Sequence, residues 1–199
     1  MIIGIDEVGR GPLAGPVVVA AVALPHTMVA SLRRLKMPLR DSKKLTAPQR
    51  EAWFAWIQHN PSIRYAVARC TPKTIDAINI TQAANRAAYS AYKKLLRTLT
   101  PKSLKLKALL DGGLHLPAHI LHTSIVKGDE KIPAISLASI TAKVARDRYM
   151  EKQHALLPRY HFSANKGYGT ALHIKAIRKH GPSPLHRLTF IKKFVIIKK

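Results

Sequence analysis

The 199-residue chain predicts a mixed α/β or α+β sheet domain, and three observations carry that reading. Val17 to Leu24 reads Val-Val-Val-Ala-Ala-Val-Ala-Leu, an uninterrupted apolar run of the kind found in strands buried on both faces. Strand-like and helix-like segments alternate along the chain. An apolar content of 47% over this length suffices for one full core across residues 1–199, without a disulfide or a structural metal.

The elements follow in order. Residues 2 to 6 form a short strand, and Gly9-Arg10-Gly11-Pro12 begins a tight connection to the 17–24 strand. Thr46 caps a helix running to about Asn60, with Pro48 in its first turn. Ile63 to Cys70 alternates as a strand, and Thr71-Pro72 opens a short helix ending near Ile78. An Ala-rich helix spans about 81–99, Pro101 stops it, and a basic stretch to Lys107 is a linker turn. Ala108 to Asp111 is a short buried strand closed by Gly112-Gly113, and Leu121 to Val126 is another. After a Lys127-Gly128 turn, a long helix covers Ile135 to Leu157, its Ser/Ala-rich first half suited to close packing. Pro158 ends it; 160–168 has loop character, and Thr170 to Lys179 is a helix terminated by Gly181. The tail from Pro182 is basic.

Charge narrows the partners. With 34 Lys+Arg against 10 Asp+Glu, the formal charge is +24, a field that attracts polyanions and favours phosphate contact through counterion release. After Glu151 no acid occurs, so residues 158–199 are a candidate basic substrate-binding region within the same domain. No stretch approaches the ~20 apolar residues of a membrane span, and the amino terminus lacks a signal-peptide pattern, so a cytoplasmic protein is expected. The lone Cys70 excludes an intrachain disulfide and reads as a buried thiol. His115, His119 and His122 are interrupted by Pro117 and supported by no cysteine, and His26, His173 and His180 need no special role.

In so basic a chain the acids are informative. Asp6 and Glu7 are adjacent at the end of an apolar run, before Gly9-Arg10-Gly11. Neighbours on a strand point to opposite faces, so the two can share an ion only where the strand ends or twists. Hard oxygen ligands suit Mg²⁺ or Mn²⁺, and Asp111 and Asp129, each beside a glycine turn, are the natural recruits. Pairing of these acids with surplus Lys and Arg is the competing reading, and a non-catalytic basic nucleic-acid-binding module is the alternative function.

The motifs decide between them. The chain resembles bacterial ribonuclease HII through Gly4-Ile5-Asp6-Glu7-Val8-Gly9-Arg10-Gly11-Pro12-Leu13-Ala14-Gly15-Pro16, Asp41-Ser42-Lys43-Lys44-Leu45 and Ile78-Asn79-Ile80. Leu110-Asp111-Gly112, Lys127-Gly128-Asp129, the block from Ile135 to Asp147, Lys166-Gly167-Tyr168-Gly169-Thr170 and His180 to Arg187 continue it in family order. The related HIII type has a lysine in place of Arg10. The pattern departs at Gly113, where Asn is common, and at Leu137, where Ala is usual.

The resemblance implies a ribonuclease H-like fold with helices flanking a central mixed sheet. It implies an endonuclease that cleaves the RNA strand of RNA/DNA hybrids and incises 5′ of single ribonucleotides in duplex DNA, leaving 3′-hydroxyl and 5′-phosphate ends. It carries over Asp6, Glu7, Asp111 and Asp129 as the catalytic ligands of two Mg²⁺ or Mn²⁺ ions. Gly9, Arg10 and Gly11 would read the 2′-hydroxyl, and Tyr168 would stack on the deoxyribose to its 3′ side. Lys43, Lys44, Asn79, Ser139 and Lys143 complete the substrate-binding set. Asp147, between Arg146 and Arg148, is expected in a salt bridge or helix-positioning role. A monomer is expected; the tail shows no clear clamp-binding motif, and sliding-clamp contact stays open.

Overall fold

Gly4 sets how the first strand meets the long helix. A Cβ there would lie 2.1 Å from the Ala134 carbonyl carbon, so only glycine lets the helix backbone lie directly on the sheet. The computed structural model describes residues 1–32, 35, 37, 39, 42–99 and 106–194. Asp41, the Pro101 stop with most of its basic linker, and the tail end at 195–199 lie outside the described residues.

Five strands form one sheet in the order β3-β2-β1-β4-β5: β1 (Ile2–Val8), β2 (Val17–Leu24), β3 (Arg64–Cys70), β4 (Ala108–Asp111) and β5 (His122–Ile125). β1, β2 and β3 pair antiparallel, while β4 joins β1 and β5 joins β4 in parallel, so the sheet is mixed. β2 is buried along its whole length, as its unbroken apolar run requires. Val17, Val19, Ala21 and Ala23 meet α3 (Pro72–Leu96) on one face. Val18, Ala20, Val22 and Leu24 meet α2 (Ala47–His59) and α5 (Pro133–Leu156) on the other.

Helix ends obey the capping residues. Thr46 and Gln49 form a reciprocal capping box on α2, and Thr71 caps α3. The break predicted near Ile78 falls at Asn79, whose backbone turns to φ 65°; its side chain accepts the Gln82 N–H at 3.0 Å and so caps the second half of α3. α4 (Gly128–Lys131) begins at the predicted Lys127-Gly128 turn.

Other boundaries move. β1 runs on to Val8 because β2 pairs with it in register through Val8↔Val18. α1 (Met28–Leu32), α6 (Phe162–Asn165) and α8 (Leu188–Ile191) are short helices that carry no periodic signal of their own. α6 interrupts the expected loop at 160–168, because Phe162 buries against Tyr160 and Met150. α7 (Ala171–His180) is capped by Thr170, and Gly181 ends it at φ 73°. Leu13, Ala14, Met150, Tyr160, Phe162, Ile177 and Ile191 form a third core, tying the carboxyl-terminal segment to the loop after β1. Among the described residues no helix is long and apolar enough to cross a membrane.

Candidate active site

Parallel pairing brings the acids together. β1 and β4 are in register at Ile5↔Leu110, their last paired residues, so Asp6 and Asp111 stand next to each other where the strands part. Asp6 shares the α5 face of β1 with Gly4, while Glu7 follows the opposite parity of Ile3 and Ile5. Beyond Ile5 the β4 side of β1 has no ladder partner, which leaves Glu7 an open edge to reach around. One carboxylate oxygen each from Asp6, Glu7 and Asp111 lies within 4.8 Å of the others. The adjacency problem posed by the sequence is solved by strand divergence, not by the strand's end.

Each carboxylate is oriented. Asp6, 4% exposed, accepts the Glu7 N–H at 2.7 Å and lies beside the Ser139 hydroxyl, which contacts Ser42 Oγ at 2.9 Å. Asp111 Oδ1 accepts the Gly128 N–H at 2.7 Å. Glu7 Oε1 accepts from Arg10 Nε, and Arg10 Nη2 donates to the Gly113 carbonyl at 2.9 Å. Gly113 holds φ 88°, a conformation that glycine takes freely and asparagine tolerates best among the rest, so its departure from the family pattern keeps the turn intact. Leu137, the second departure, is fully buried between the sheet and α2.

Burial, then the charge of Glu7 and more weakly Asp111, holds the Asp6 carboxyl well above its usual range. Burial likewise raises Glu7, against the pull of Arg10. Glu7 Oε2 is buried and has no hydrogen-bond partner among the described residues. An all-oxygen cluster of mutually repelling carboxylates with one orphaned oxygen fits a hard divalent cation.

The cleft around them has a volume of about 250 Å³ and is walled by Gly9, Arg10, Gly11, Lys43, Asp111, Asp129, Ser139, Lys143 and Tyr168, together with Asp6, Glu7, Val8 and Ser42. Asp129 reaches this wall from α4 but lies outside the tight cluster of three. Lys44 points elsewhere and pairs with Glu130 at 2.7 Å. Asn79 stays at the α3 kink, away from the cleft wall. Asp147 is in a salt bridge as expected, although with Lys143 at 2.8 Å and Arg50 at 3.6 Å and not with its chain neighbours.

Two arginines give the loop after β1 its shape. Arg187, fully buried, donates to the carbonyls of Gly9 at 2.6 Å, Arg10 at 2.8 Å and Gly15 at 3.0 Å. Arg146, also fully buried, donates to Ala14, Pro16 and Lys166 at 2.9–3.1 Å, and its guanidinium lies 5.8 Å from the Tyr168 ring centre. A Cβ on Gly9, at φ 98°, would meet the Arg146 side chain at 2.4 Å. Both arginines lie inside motif blocks, yet their partners are main-chain oxygens far along the chain, which no spacing reveals.

His173, read from sequence as needing no special role, is fully buried and contacts His186. Burial pushes His173 down and, with His173 beside it, takes His186 to about 4 from an ordinary 6.5. The folded state therefore keeps His186 neutral, and its contribution to stability is complete above pH 6.5 and is lost as pH falls toward 4. On this account the fold loses about 2 kcal/mol between pH 7 and pH 5 from His186 alone. Urea midpoints should fall across that window while the His186 ring resonances in NMR stay unshifted; a His186 titrating near 6.5 would contradict it.

A mixed sheet whose parallel central strands end in clustered carboxylates, under a basic and glycine-bent loop, defines a ribonuclease H-type nuclease. The family described as Ribonuclease HII matches residues 3–193, and the chain belongs to that family. It is 44% identical over 191 residues to a Ribonuclease HII of Syntrophobacter fumaroxidans, covering 96% of this chain and 76% of the relative. The ribonuclease H2 of Pyrococcus horikoshii OT3 superposes with a TM-score of 0.73 at 27% identity, over 97% of this chain and 96% of that one. The RNase HII of Archaeoglobus fulgidus, solved in complex with PCNA, superposes with a TM-score of 0.72 at 25% identity, over 100% and 98%. The chain is a ribonuclease H enzyme acting on RNA/DNA hybrids.

Proposed function

We propose that this enzyme, besides cutting the RNA strand of hybrids, incises duplex DNA on the 5′ side of a single embedded ribonucleotide, leaving 3′-hydroxyl and 5′-phosphate ends. The observation that carries this reading is the sharing of one cleft by the three-carboxylate cluster, the Gly9-Arg10-Gly11 loop and the Tyr168 ring. Asp6, Glu7, Asp111 and Asp129 would hold two Mg²⁺ or Mn²⁺ ions, which supply a water nucleophile at neutral pH and neutralise charge on the leaving oxygen.

The protein's own groups do the selecting. The Arg10 side chain is engaged by Glu7 and Gly113 and the Gly9 and Arg10 carbonyls by Arg187, so the main-chain N–H groups of the segment and the Gly11 carbonyl would meet a 2′-hydroxyl. A Cβ at Gly11 would meet no atom within 4 Å, so its backbone stands open on the cleft wall. Tyr168, 43% exposed on the same cleft wall, would stack on the neighbouring deoxyribose. Lys43 and Lys143 line the same wall as phosphate contacts. Ser139 fixes the Asp6 carboxyl without needing a charge of its own.

The test is a duplex carrying one ribonucleotide, with products mapped at nucleotide resolution. Cutting on the 5′ side that requires Mg²⁺ or Mn²⁺ is the expected result, and cutting on the 3′ side or without a divalent ion would sink the reading. Tyr168→Ala should slow this incision on the order of tenfold, as loss of about 1–2 kcal/mol of stacking would, with little change in thermal stability.

A further inference from the structure

His173 and His186 are buried behind Tyr168, and their protons can be placed from the hydrogen bonds alone. The Ser183 main-chain N–H lies 2.8 Å from His186 Nδ1, and a main-chain N–H can only donate. His186 Nδ1 is therefore an acceptor, and the neutral ring carries its proton on Nε2. That nitrogen is 3.1 Å from His173 Nε2, so His186 donates and His173 accepts. The proton of His173 must then sit on Nδ1, which lies 2.8 Å from the Tyr168 carbonyl. Ser183, His186, His173 and Tyr168 form a one-way chain of hydrogen bonds, each link of which fixes the next.

The end of that chain is a residue facing the cleft. The Tyr168 N–H donates to the Asn165 carbonyl at 2.8 Å, and the Tyr168 carbonyl accepts the Thr170 N–H at 2.9 Å beside the His173 ring, so His173 supplies the one side-chain donor to that carbonyl among the described residues. Gly167, at φ 86°, packs against the Ala14 carbonyl and accepts the Leu13 N–H at 2.8 Å, which docks the segment on the loop after β1. Tyr160 and Phe162 rings flank the pair and exclude water. The charged groups nearby are Arg146 and Arg187, both engaged with carbonyls, and Asp76, which accepts the Leu188 and Thr189 N–H groups. His180 stands beyond Tyr160. None of these donates to either imidazole in place of the chain.

We propose that His173 is a positioning residue for ribonucleotide recognition: its Nδ1–H, in a tautomer set by His186, fixes the Tyr168 peptide and so the placement of the Tyr168 ring over the substrate sugar. This rests on the sugar-facing reading of Tyr168 given above. A misplacement of about 1 Å at a reacting centre costs up to roughly a hundredfold in rate, so a single hydrogen bond to the peptide is enough to matter.

Two isosteric substitutions separate positioning from core filling. In His173→Asn the amide nitrogen stands where Nδ1 was and can still donate to Tyr168; in His173→Gln the amide reaches where Nε2 was, keeps His186 as partner and leaves the Tyr168 carbonyl with the Thr170 N–H alone. With the full chain, kcat and KM are measured on the single-ribonucleotide duplex and on a long hybrid, alongside thermal midpoints and Tyr168→Ala. His173→Gln should lose about tenfold in kcat on the single-ribonucleotide duplex with KM little changed, and His173→Asn should stay within about threefold of wild type. Equal rates for the two variants, or a wild-type rate for His173→Gln while Tyr168→Ala is impaired, would overturn the role of His173. A wild-type rate for Tyr168→Ala would instead remove the sugar-facing reading itself. Nitrogen-15 NMR of the unaltered enzyme gives an independent check. His173 protonated on Nδ1 and His186 on Nε2 is the expected pattern, and the opposite tautomers would overturn the chain.

Discussion

Asp6→Asn should lower the cleavage rate on the order of a thousandfold, about 4 kcal/mol of transition-state stabilisation, while making the metal-free protein more stable than wild type. The loss of activity follows from removing one of three carboxylates that converge within 4.8 Å. The gain in stability follows from the direction of the Asp6 shift. Burial and the Glu7 charge oppose its ionisation, so the folded carboxyl titrates above the unfolded one, and the fold loses stability as pH rises through that raised value. Asparagine carries no such cost and can still accept the Glu7 N–H. The thermal midpoint of the variant minus that of wild type, both without divalent ions, should therefore grow as pH rises above the ordinary carboxylate range. Mg²⁺ or Mn²⁺ should then raise the wild-type midpoint more than the variant's. Retained activity in Asp6→Asn would refute the ligand assignment; a metal-free midpoint below wild type across the whole range would refute the electrostatic one.

Arg187→Lys should cost roughly 3 kcal/mol of stability, a fall in thermal midpoint of about 6–12 °C, and should impair incision at a single ribonucleotide through kcat more than through KM. The guanidinium spans three carbonyls of the loop that includes Gly9 and Arg10, and a lysine ammonium cannot reach all of them from one point. Each carbonyl left buried without a donor costs about 1–3 kcal/mol. Burial, with Arg146 nearby, takes the Arg187 guanidinium down to about 9, still charged at neutral pH, whereas a lysine in the same place would shed its proton more readily. Urea unfolding and single-turnover cleavage together check this. A variant with wild-type stability would show that the loop does not depend on the fork, and an equal rise in KM with unchanged kcat would show that it does not shape the reacting geometry.

The sequence was most legible where local chemistry is strong. The 17–24 run read as a doubly buried strand, Thr46, Thr71 and Thr170 marked helix starts, and the break near Ile78 was visible because the helical pattern restarts beyond Asn79. It was less legible in short helices such as α6 and α8, which exist because Phe162 and Ile191 find a core supplied by other segments. Asp147 was separable from the site by its place among basic helix neighbours; its partner Lys143 stands one turn back on the same helix, whereas Arg50 reaches it only because α2 packs against α5.

By itself the sequence singled out the residues proposed to carry the chemistry: adjacent acids at a strand's end, two more beside glycine turns, a glycine-arginine-glycine loop and a tyrosine, in a chain charged to bind a polyanion. Tertiary structure alone decided how they meet. Only the parallel register of β1 and β4 sets Asp6 beside Asp111, and only strand divergence lets Glu7 join them from the opposite face. The buried arginines and the His173–His186 pair were invisible beforehand because their partners are main-chain carbonyls and N–H groups. Every residue carries those groups alike, so a sequence cannot show which of them will be left in need of a donor until the chain has folded.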